Sequence, residues 1–441
     1  MTTVYLAEKP SQAKEIATAI GVTGRANGYI KVKDGIVVNA FGHQFEQAKP
    51  ETYNETWGGR WTFDALPMIP QVWKNVIVKE KATQLKIIRE VLKTATLVVI
   101  ATDAGREGEL IAREILEYCK YKGPIKRLWC SSIAQSDLKK ALASLLPGSA
   151  KENLYEAALA RAHADWLYGL NGTRAVTLAA NARGTTYQVG RVQTPTLSMI
   201  VRREWEIRNF VPVAYYELEA EVQSAAGHKF KMKHAPAEKD RISDKKEAER
   251  RKNLAQGARG PLRVKTEAKS EAPPLPYSLP DLQKDANKFL KLSARKTLSI
   301  AQELYEKAKV ITYPRTDCIY LAASQKTEVP EILSKLEKVF PESVDALRKQ
   351  GIVLRDSTFD DKKLTDHHAI CPTNHEAELT DEQAKLFALI VQRYLRAIAP
   401  DCLFNATSVT LDANGVPFKA TGRQTTSPGF KAVSIIKTEE D

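Results

Sequence analysis

The stretch ATLVVIATDAGREGE, residues 95–109, decides the fold class of the first part of the chain. Its first seven residues form a nearly continuous apolar run rich in β-branched side chains, which is typical of a strand buried on both faces of a parallel sheet. A short loop at 102–106 then leads into a pattern that predicts a helix from about Glu107 to Cys119. A buried strand that passes into a helix in this way indicates an α/β domain with a parallel sheet.

A second strand and helix begin the chain. The sequence TVYLA at 3–7 predicts a short strand, and Ser11 is predicted to cap a helix that continues to about Ile20. In parallel sheets, functional sites form where the carboxyl ends of the strands meet. Glu8 follows the first strand and Asp103 follows the buried strand, so both carboxylates are predicted to lie at that edge.

The acidic residues at this edge have the chemistry of a cation site, and the candidates are Glu8, Asp103 and Glu107. Mg²⁺ prefers oxygen ligands and is usually held by one or two carboxylates together with phosphate. Lys9 and Arg106 are placed to contact a phosphate directly, and Gly105 is predicted to allow a tight turn between strand and helix. The alternatives are a solvated carboxylate at Glu8 and an ion-paired structural turn at 102–109.

Changes of pattern predict the elements of the rest of the chain. The predicted helices occupy 152–177, 280–290, 293–308 and 381–398. Ser293 is expected to cap the third of these helices. Alternation of polar and apolar residues predicts antiparallel strands at 215–222 and 404–412, so the second run is expected to resume the domain begun near residue 213. The basic stretch 229–269 is predicted to form solvated loops and edge strands.

These elements predict a multidomain protein of mixed α/β, α and β composition, with a stiff linker at 272–276. The predicted segments are an α/β domain at 1–150, a helical segment at 151–212, the first part of a β-rich domain at 213–271, a helical domain at 272–403, and a return to the β-rich domain at 404–441.

Charge and composition narrow the possible partners and locations. The chain has 66 Lys and Arg against 53 Asp and Glu, a net charge of +13, which is typical of a protein with a polyanionic partner such as nucleic acid. From charge alone, an ordinary basic enzyme is an equal alternative. Five scattered cysteines without a CxxC pair argue against a zinc ribbon and a disulfide framework. No apolar run reaches the roughly 18 residues that a membrane span requires, and no secretion signal precedes the first strand. The predicted location is the cytoplasm.

The stretch VITYPRTD at 310–317 contains a candidate nucleophile, Tyr313. Because the residue before a proline avoids the α region, Tyr313 is predicted to lie where the preceding helix, broken at Pro314, gives way to extended chain. A tyrosine hydroxyl, with an ordinary pKa of about 10, needs a neighbouring cation or base to attack phosphorus. Arg315 lies on the same side of an extended chain and can stabilise developing negative charge. The local sequence alone favours a packed or turn tyrosine instead.

Several motifs, in their order along the chain, resemble those of the type IA DNA topoisomerases, and most closely the bacterial topoisomerase III branch. They are AEKPSQAKEIA (7–17), GH (42–43), TDAGREGE (102–109), RAHADWLYG (161–169), QVGRVQTPTL (188–197), VITYPRTD (310–317) and DHHAICPT (366–373). The resemblance runs from residue 1 to 441. It implies an amino-terminal Toprim domain with a Rossmann-like sheet, helical DNA-binding domains and a β-rich arch in a toroidal architecture.

The resemblance also implies the catalytic roles. Tyr313 attacks one phosphate of single-stranded DNA and forms a 5′-phosphotyrosine, so the energy of the phosphodiester bond is kept and resealing needs no ATP. Glu8 is implied as the acid that protonates the leaving 3′-oxygen. Lys9 and Arg315 are implied to stabilise the charge of the transition state.

The same resemblance implies a Mg²⁺ site formed by Glu8, Asp103 and Glu107, without zinc. The family pattern usually reads Asp-x-Asp-x-Glu, and Gly105 stands at the second aspartate position, which predicts a single ion. The implied DNA-binding residues are His43, Arg106, Arg161, Gln188, Arg191, Gln193, Thr194, His367 and His368.

The function implied is relaxation of negative supercoils or decatenation of DNA. Implied partners are single-stranded and negatively supercoiled DNA and a helicase or single-strand-binding protein, and the chain is expected to be a monomer associated with a bacterial nucleoid or plasmid. Members of this branch are longer, so a chain lacking the carboxyl-terminal part is expected. The alternatives are another Toprim enzyme, such as a primase or an OLD-type nuclease, and a non-catalytic module that binds single strands.

Overall fold

Residues 3–147 alternate between strands and helices, as the amino-terminal motifs predict. The computed structural model describes residues 2–130, 135–181, 184–236, 241–365 and 367–436, without the side chain of Ser136. Asp366, the first residue of the DHHAICPT motif, and 437–441, the end of the last predicted segment, lie outside the described residues.

The strands of the first unit are β1 (Thr3–Ala7), β2 (Val22–Ala26), β3 (Tyr29–Val32), β4 (Gly35–Asn39), β5 (Phe45–Gln47), β6 (Asn75–Ile77), β7 (Leu97–Ala101), β8 (Ile125–Arg127) and β9 (Leu146–Pro147). The helices are α1 (Pro10–Ile20), α2 (Ala82–Lys93), α3 (Arg106–Tyr118), α4 (Gln135–Ala143), α5 (Glu152–Ala179) and α6 (Gln193–Arg208).

Seven of these strands form one sheet in the order β2-β3-β4-β1-β7-β8-β9. Strand β1 is parallel to both β4 and β7, and β7 is parallel to β8. Ala7 at the end of β1 is paired with Ala101 at the end of β7. The predicted parallel sheet is confirmed, and its two central strands end at the same edge.

Helices cover both faces of this sheet, which explains why its two central strands, β1 and β7, are buried almost throughout. On one face, Val4, Leu6 and Ile100 pack against residues of α2 and α3 such as Ile88 and Ile115. On the other face, the side chains of the alternate strand positions pack against α1 and α4. The two central strands are therefore buried on both faces, as the continuous apolar run predicts.

Contacts between residues divide the chain into two compact units. The first unit contains 1–207, 316–318 and 361–368, and the second unit contains 208–315, 319–360 and 369–441. Two short segments from the second half of the sequence thus belong to the first unit, and one of them carries His367 and His368. The predicted division into five segments stays a prediction.

The second unit combines a long antiparallel sheet with a helical core. Its strands are β10 (Glu219–Gln223), β11 (Lys229–His234), β12 (Arg263–Glu271), β13 (Cys402–Ala413) and β14 (Val416–Ser427). Its helices are α7 (Lys245–Ala255), α8 (Leu279–Leu290), α9 (Ala294–Glu306), α10 (Val329–Val339), α11 (Pro341–Gln350) and α12 (Asp381–Ala397). Short 3-10 helices across both units occupy Pro50–Thr52, Glu55–Trp57, Phe63–Ala65, Lys79–Lys81, Gly148–Lys151, Ala323–Thr327, Asp361–Lys363 and Gly429–Ala432.

The strands of the second unit form one sheet in the order β10-β11-β14-β13-β12. Strands β13 and β14 pair with β12 and β11, which come from before residue 272, so strands from both parts of the sequence share this sheet. The predicted return to the β-rich domain at 404–441 stays a prediction. The apolar core of this unit is formed mainly by α8 to α12, with Leu304, Leu282 and Ile390 fully buried. Within the described residues, none of the helices combines the length and the apolar character needed to span a membrane.

Three local predictions are wrong in part. Ser11 does not cap α1, because the helix begins at Pro10, whose fixed φ suits the first helical position. The basic stretch 229–269 contains helix α7 and the interior strand β11 as well as the edge strand β12. Helix α9 is capped by Ser293 as predicted, but it ends at Glu306, well before Pro314.

Candidate active site

Glu8 and Asp103 meet at the carboxyl end of the sheet in the first unit. Glu8 follows β1 directly, and Asp103 follows β7 after Thr102. The backbone N–H of Asp103 donates to Glu8 Oε2 at 3.3 Å. The parallel pairing of the two strands therefore produces the predicted contact between these carboxylate-bearing turns.

Lys9, Gln12 and His367 surround the carboxylate of Asp103. Lys9 Nζ lies 2.6 Å from Asp103 Oδ2 and 3.3 Å from Glu8 Oε1. Gln12 Nε2 donates to Asp103 Oδ1 at 3.0 Å, and Gln12 Oε1 accepts from the backbone N–H of Glu8 at 2.8 Å. His367 Nε2 lies 3.4 Å from Asp103 Oδ2. The predicted residues Glu8, Lys9, Asp103 and His367 are thus brought together.

The two carboxylates have opposite pKa shifts. Glu8 is 8% exposed, and this burial, together with the negative charge of Asp103, raises its pKa above the ordinary value. Burial also acts to raise the pKa of Asp103, but its hydrogen bond with His367 and the charge of Lys9 outweigh that effect and hold the pKa below the ordinary value. Glu8 is therefore protonated more readily than an ordinary glutamate, and Asp103 is protonated less readily than an ordinary aspartate.

The turn between β7 and α3 depends on Gly108 rather than on Gly105. Gly105 has a φ of −160°, which is extended backbone that any residue adopts, so the predicted conformational reason for this glycine is wrong. A Cβ atom on Gly108 would lie 2.2 Å from the carbonyl oxygen of Asp103. Thr102 Oγ1 donates to the carbonyl of Gly108 at 2.8 Å, which closes the turn. Gly108 thus allows α3 to approach the strand end.

A second group of predicted residues lies on α3, α5 and the segment before α6. Glu107 Oε2 is 3.3 Å from His43 Nε2, and Glu107 Oε1 is 3.5 Å from Arg161 Nη1. Arg191 donates to both carboxylate oxygens of Asp165, at 2.6 and 3.2 Å. Two of the arginines predicted to bind DNA, Arg161 and Arg191, are therefore paired with carboxylates of the same unit.

The remaining predicted DNA-binding residues all lie in the first unit, at different places. Thr194 Oγ1 accepts from the backbone N–H of Gly190 at 3.0 Å, which orders the start of α6. The side chains of Arg106, Gln188 and Gln193 are exposed. His368 lies next to His367 in the segment 361–368 of the first unit.

A cavity of about 390 Å³ lies beside this second group in the first unit, lined by residues that include His43, Glu107, Glu114, Arg161, Asp165 and Trp166. Burial raises the pKa of Glu114 to about 7, although a hydrogen bond from Asn75 opposes the shift. Asn75 Nδ2 donates to Glu114 Oε1 at 3.1 Å. The lining thus combines a basic side chain, Arg161, with acidic side chains such as Glu107 and Asp165.

Tyr313 lies in the second unit, on a segment held against residues 369–373. The backbone N–H of Thr312 donates to the carbonyl of Cys371 at 3.0 Å, and Thr312 Oγ1 donates to the carbonyl of Ala369 at 3.1 Å. The ring of Tyr313 meets that of Tyr305 at 5.5 Å in an edge-on arrangement. Arg315 is exposed, two residues further on. The residue immediately before the candidate nucleophile is thus held by two hydrogen bonds.

A Toprim sheet joined to a second unit that carries this tyrosine segment defines a class of DNA topoisomerase, and comparison with known proteins agrees. A family model described as DNA topoisomerase matches residues 149–441, and a model described as the Toprim domain matches residues 3–133. The chain belongs to the DNA topoisomerase family. The resemblance predicted from its motifs is confirmed.

Within this family the chain is similar to bacterial topoisomerase III proteins. It is 38% identical to DNA topoisomerase 3 of Bacillus subtilis strain 168 over 447 residues, which cover 100% of this chain and 60% of that protein. It is 39% identical to DNA topoisomerase 3 of Shouchella clausii over 443 residues, which cover 99% of this chain and 60% of that protein. The chain thus spans about three fifths of the length of these curated relatives.

One solved structure shows the same fold. Full-length topoisomerase I from Thermotoga maritima matches with a TM-score of 0.65 and 22% identity, covering 99% of this chain and 68% of that chain. At this identity the likeness concerns the fold alone. The predicted mixed architecture with a Toprim sheet is therefore confirmed.

A Toprim domain implies a site for a divalent cation, and the pair Glu8 and Asp103 fits one. Oxygen atoms of both carboxylates contact the single ammonium group of Lys9, so they are close enough to share one cation. Glu107, the third predicted ligand, contacts His43 and Arg161 instead. Among the described residues, no group of three or more His, Cys, Asp or Glu side chains is arranged to hold a metal ion. The three-carboxylate set stays a prediction.

Several residues of the site were not singled out from the sequence. Gln12 links the Glu8 and Asp103 turns, Asp165 pairs with Arg191, and Arg127 lies buried behind Asp103. Only Asp165 had a usable signal, because it lies four residues after Arg161 on one helix and so faces the same side. Gln12 and Arg127 acquire their roles through long-range packing.

Proposed function

We propose that the chain cleaves and reseals one strand of DNA through Tyr313, without ATP and with Mg²⁺. The hydroxyl oxygen of Tyr313 bonds to phosphorus, the bond from phosphorus to the 3′-oxygen breaks, and the tyrosine proton passes to solvent. The 3′-oxygen takes a proton from Glu8, and the product is a 5′-phosphotyrosine. Resealing reverses these steps, since the covalent bond retains the energy of the phosphodiester.

The observation that carries this proposal is the environment of Glu8 in a chain of the topoisomerase family. Burial and the charge of Asp103 raise the pKa of Glu8, and a general acid works best when it holds its proton near the working pH. Lys9 contacts the same carboxylate, so its ammonium group is placed to stabilise negative charge on a phosphate bound there.

Arginine side chains of the first unit are proposed to bind the DNA backbone. Arg161 and Arg191 are partly exposed, and phosphate can compete for them with their present carboxylate partners. Glu8 and Asp103 would hold Mg²⁺, with Glu107 as a further candidate ligand. The cation would supply positive charge that orients DNA phosphate for resealing.

The proposed substrate is single-stranded or negatively supercoiled DNA, and the proposed outcome is relaxation or decatenation. Relaxation and decatenation are activities of a whole topoisomerase, and this chain matches about three fifths of the length of each relative. A helicase or single-strand-binding partner, a monomeric state and a cytoplasmic location remain predictions.

A covalent adduct tests the proposal. We expect the chain to form a detergent-stable complex with single-stranded DNA labelled at its 3′ end, because the phosphotyrosine retains the downstream fragment. Tyr313→Phe lacks the nucleophilic oxygen and should abolish this complex, which denaturing gel electrophoresis would reveal. Tyr305→Phe is the matched control, since its ring contacts that of Tyr313, and this variant should keep the adduct.

Other outcomes would favour the other functions. Absence of the adduct from the parent chain, or its persistence in Tyr313→Phe, overturns the proposal. Nucleotide incorporation, or cleavage without covalent attachment, would indicate a primase or nuclease of the Toprim type. Salt-dependent binding without any cleavage would indicate a single-strand-binding module.

A further inference from the structure

The side chain of Arg127 is buried directly behind the turn that carries Asp103. It is 1% exposed, and the partners of its guanidinium among the described residues belong to the first unit. Nη1 donates to the carbonyl oxygens of Ile100 at 3.2 Å, Thr102 at 2.9 Å and Leu128 at 2.6 Å. Nη2 donates to the carbonyl oxygen of Asp103 at 2.7 Å. One side chain thus binds the backbone of β7 and of the turn that follows it.

Glu109 on α3 holds this guanidinium from the other side. Its carboxylate is fully buried, and Oε1 accepts from Arg127 Nε at 2.5 Å. Its second oxygen accepts from Arg113 Nε at 3.1 Å. A buried ion pair costs desolvation energy that an apolar pair of similar volume would not cost, so stability alone is a weak explanation for its presence.

The geometry of the turn that carries Asp103 gives a further explanation for the buried pair of Arg127 and Glu109. The carboxylate of Asp103 meets Glu8 and Lys9, and its position depends on the peptide groups on either side of it. Arg127 fixes the carbonyls of Thr102 and Asp103, which are consecutive along this turn. The planar guanidinium reaches several acceptors at once, whereas a lysine ammonium has three donors on a flexible stem and cannot bind the same set.

We propose that Arg127 is a positioning residue that fixes the Asp103 turn for divalent-cation binding and that Glu109 orients Arg127 for this purpose. The inference rests on the proposed function for the use of the cation. It assigns no contact between Arg127 and the cation or DNA. Arg127 acts on the cation site through its hydrogen bonds to the backbone carbonyls of Thr102 and Asp103.

Cation binding in the absence of DNA tests this inference. The probe is Mn²⁺, whose free concentration is measured by electron paramagnetic resonance while the full chain is titrated. We expect Arg127→Lys to weaken Mn²⁺ binding by about ten- to hundredfold, the usual effect of losing a residue that orients a metal ligand. Melting temperature is measured in parallel to follow the cost of altering a buried residue.

Arg174→Lys is the matched control. Arg174 is also buried in the first unit, at 6% exposure, but it donates to the carbonyl of Trp57 and its guanidinium lies over the ring of Trp61. We expect Arg174→Lys to lower the melting temperature comparably and to leave Mn²⁺ affinity within about twofold of the parent, because it lacks contact with the metal-ligand turn.

A second variant covers the case in which Arg127→Lys does not fold. Glu109→Gln keeps the shape and one acceptor of Glu109 but removes its charge, and it should weaken Mn²⁺ binding by roughly three- to tenfold. Unchanged Mn²⁺ affinity in a folded Arg127→Lys or Glu109→Gln protein overturns the inference, as does an equal loss in Arg174→Lys. Absence of Mn²⁺ binding by the parent chain overturns it as well.

The adduct assay separates this inference from the proposed function. Weaker Mn²⁺ binding in Arg127→Lys, together with a parent chain that forms no adduct at Tyr313, would support the positioning role and overturn the proposed cleavage. An adduct in the parent with unchanged Mn²⁺ affinity in Arg127→Lys would support cleavage and overturn the positioning role.

Discussion

Two acidic side chains of the first unit, Glu8 and Glu114, have raised pKa values for the same first reason, which is burial. The raised pKa has different consequences at the two residues, because their surroundings differ. Glu8 lies against Asp103 and Lys9, at the ends of the central strands, where a retained proton can serve an acid step. Glu114 lies beside Asn75 in the wall of a cavity, where the same shift makes folding stability depend on pH.

Glu114→Gln should stabilise the protein at neutral pH. Because the pKa of Glu114 is raised from 4.5 to about 7, its contribution to stability is complete below pH 4.5 and is lost as pH rises through 7. A permanently neutral glutamine avoids this loss, so we expect a gain of about 1–2 kcal/mol above pH 7 and little difference below pH 4.5, after allowing for partial solvation. Urea unfolding measured from pH 4 to 8 checks this.

Glu80→Gln in the same unit is the control, because the side chain of Glu80 is exposed. It should show the same pH dependence of stability as the parent. A Glu114→Gln protein whose stability follows the parent at every pH would contradict the assigned role of burial.

At the scale of elements, helix α3 links the carboxylate turn to the rest of the first unit. It begins at Arg106 immediately after that turn, and Gly108 in its first turn passes close to the backbone of Asp103. Glu109, the next residue, faces inward to Arg127. Contacts within the first four residues of the helix therefore join it to the carboxylate turn.

Gly108→Ala should destabilise the protein, although the same change inside an exposed helix usually stabilises it by up to about 1 kcal/mol. The new Cβ would lie 2.2 Å from the carbonyl oxygen of Asp103, so helix and turn must separate. We expect a loss of about 1–3 kcal/mol in urea unfolding. Gly24→Ala in β2, where the nearest side-chain atom would be 3.8 Å away, should change stability by less than that. A Gly108→Ala protein as stable as the parent would show that folding does not require the close contact between α3 and the backbone of Asp103.

At the scale of the whole molecule, the net charge of +13 favours association with a polyanion. The charge is not all available, because arginines predicted to meet DNA have carboxylate partners. Arg191 donates two hydrogen bonds to Asp165, and Arg161 lies 3.5 Å from Glu107. Phosphate binding at these residues must therefore replace internal ion pairs.

Asp165→Asn should tighten binding of single-stranded DNA, since it removes the charge that competes with phosphate for Arg191. We expect about a three- to tenfold gain in affinity at low salt, which shrinks as salt screens the contact. Fluorescence anisotropy with labelled DNA at several salt concentrations measures both effects.

Glu206→Gln raises the net charge by the same single unit and serves as the control. Glu206 pairs with Arg203 on the exposed helix α6, away from the Asp165 pair in sequence. It should alter affinity by less than about twofold. Equal tightening by both variants would assign the effect to total charge and not to Asp165.

Much of this organisation could be predicted from local sequence. The strands at 3–7 and 95–101 and the helix after 106 were predicted nearly to the residue, because buried parallel strands require continuous apolar runs. Their shared edge followed from the geometry of parallel sheets. The missed helix Lys245–Ala255 has a weak apolar pattern with only Ala248 buried, so its sequence resembles a solvated loop.

The sequence by itself determined the family, through ordered motifs, and the edge of the sheet at which Glu8 and Asp103 meet. Only the tertiary structure decided that Asp103 is held by Gln12 and His367, that Glu107 pairs with His43 and Arg161, and that Arg127 supports the turn from behind. The physical reason is how far apart along the chain the interacting residues lie. Strand and helix patterns reflect interactions between near neighbours, whereas hydrogen bonds and pKa shifts at the site depend on residues far apart in the chain.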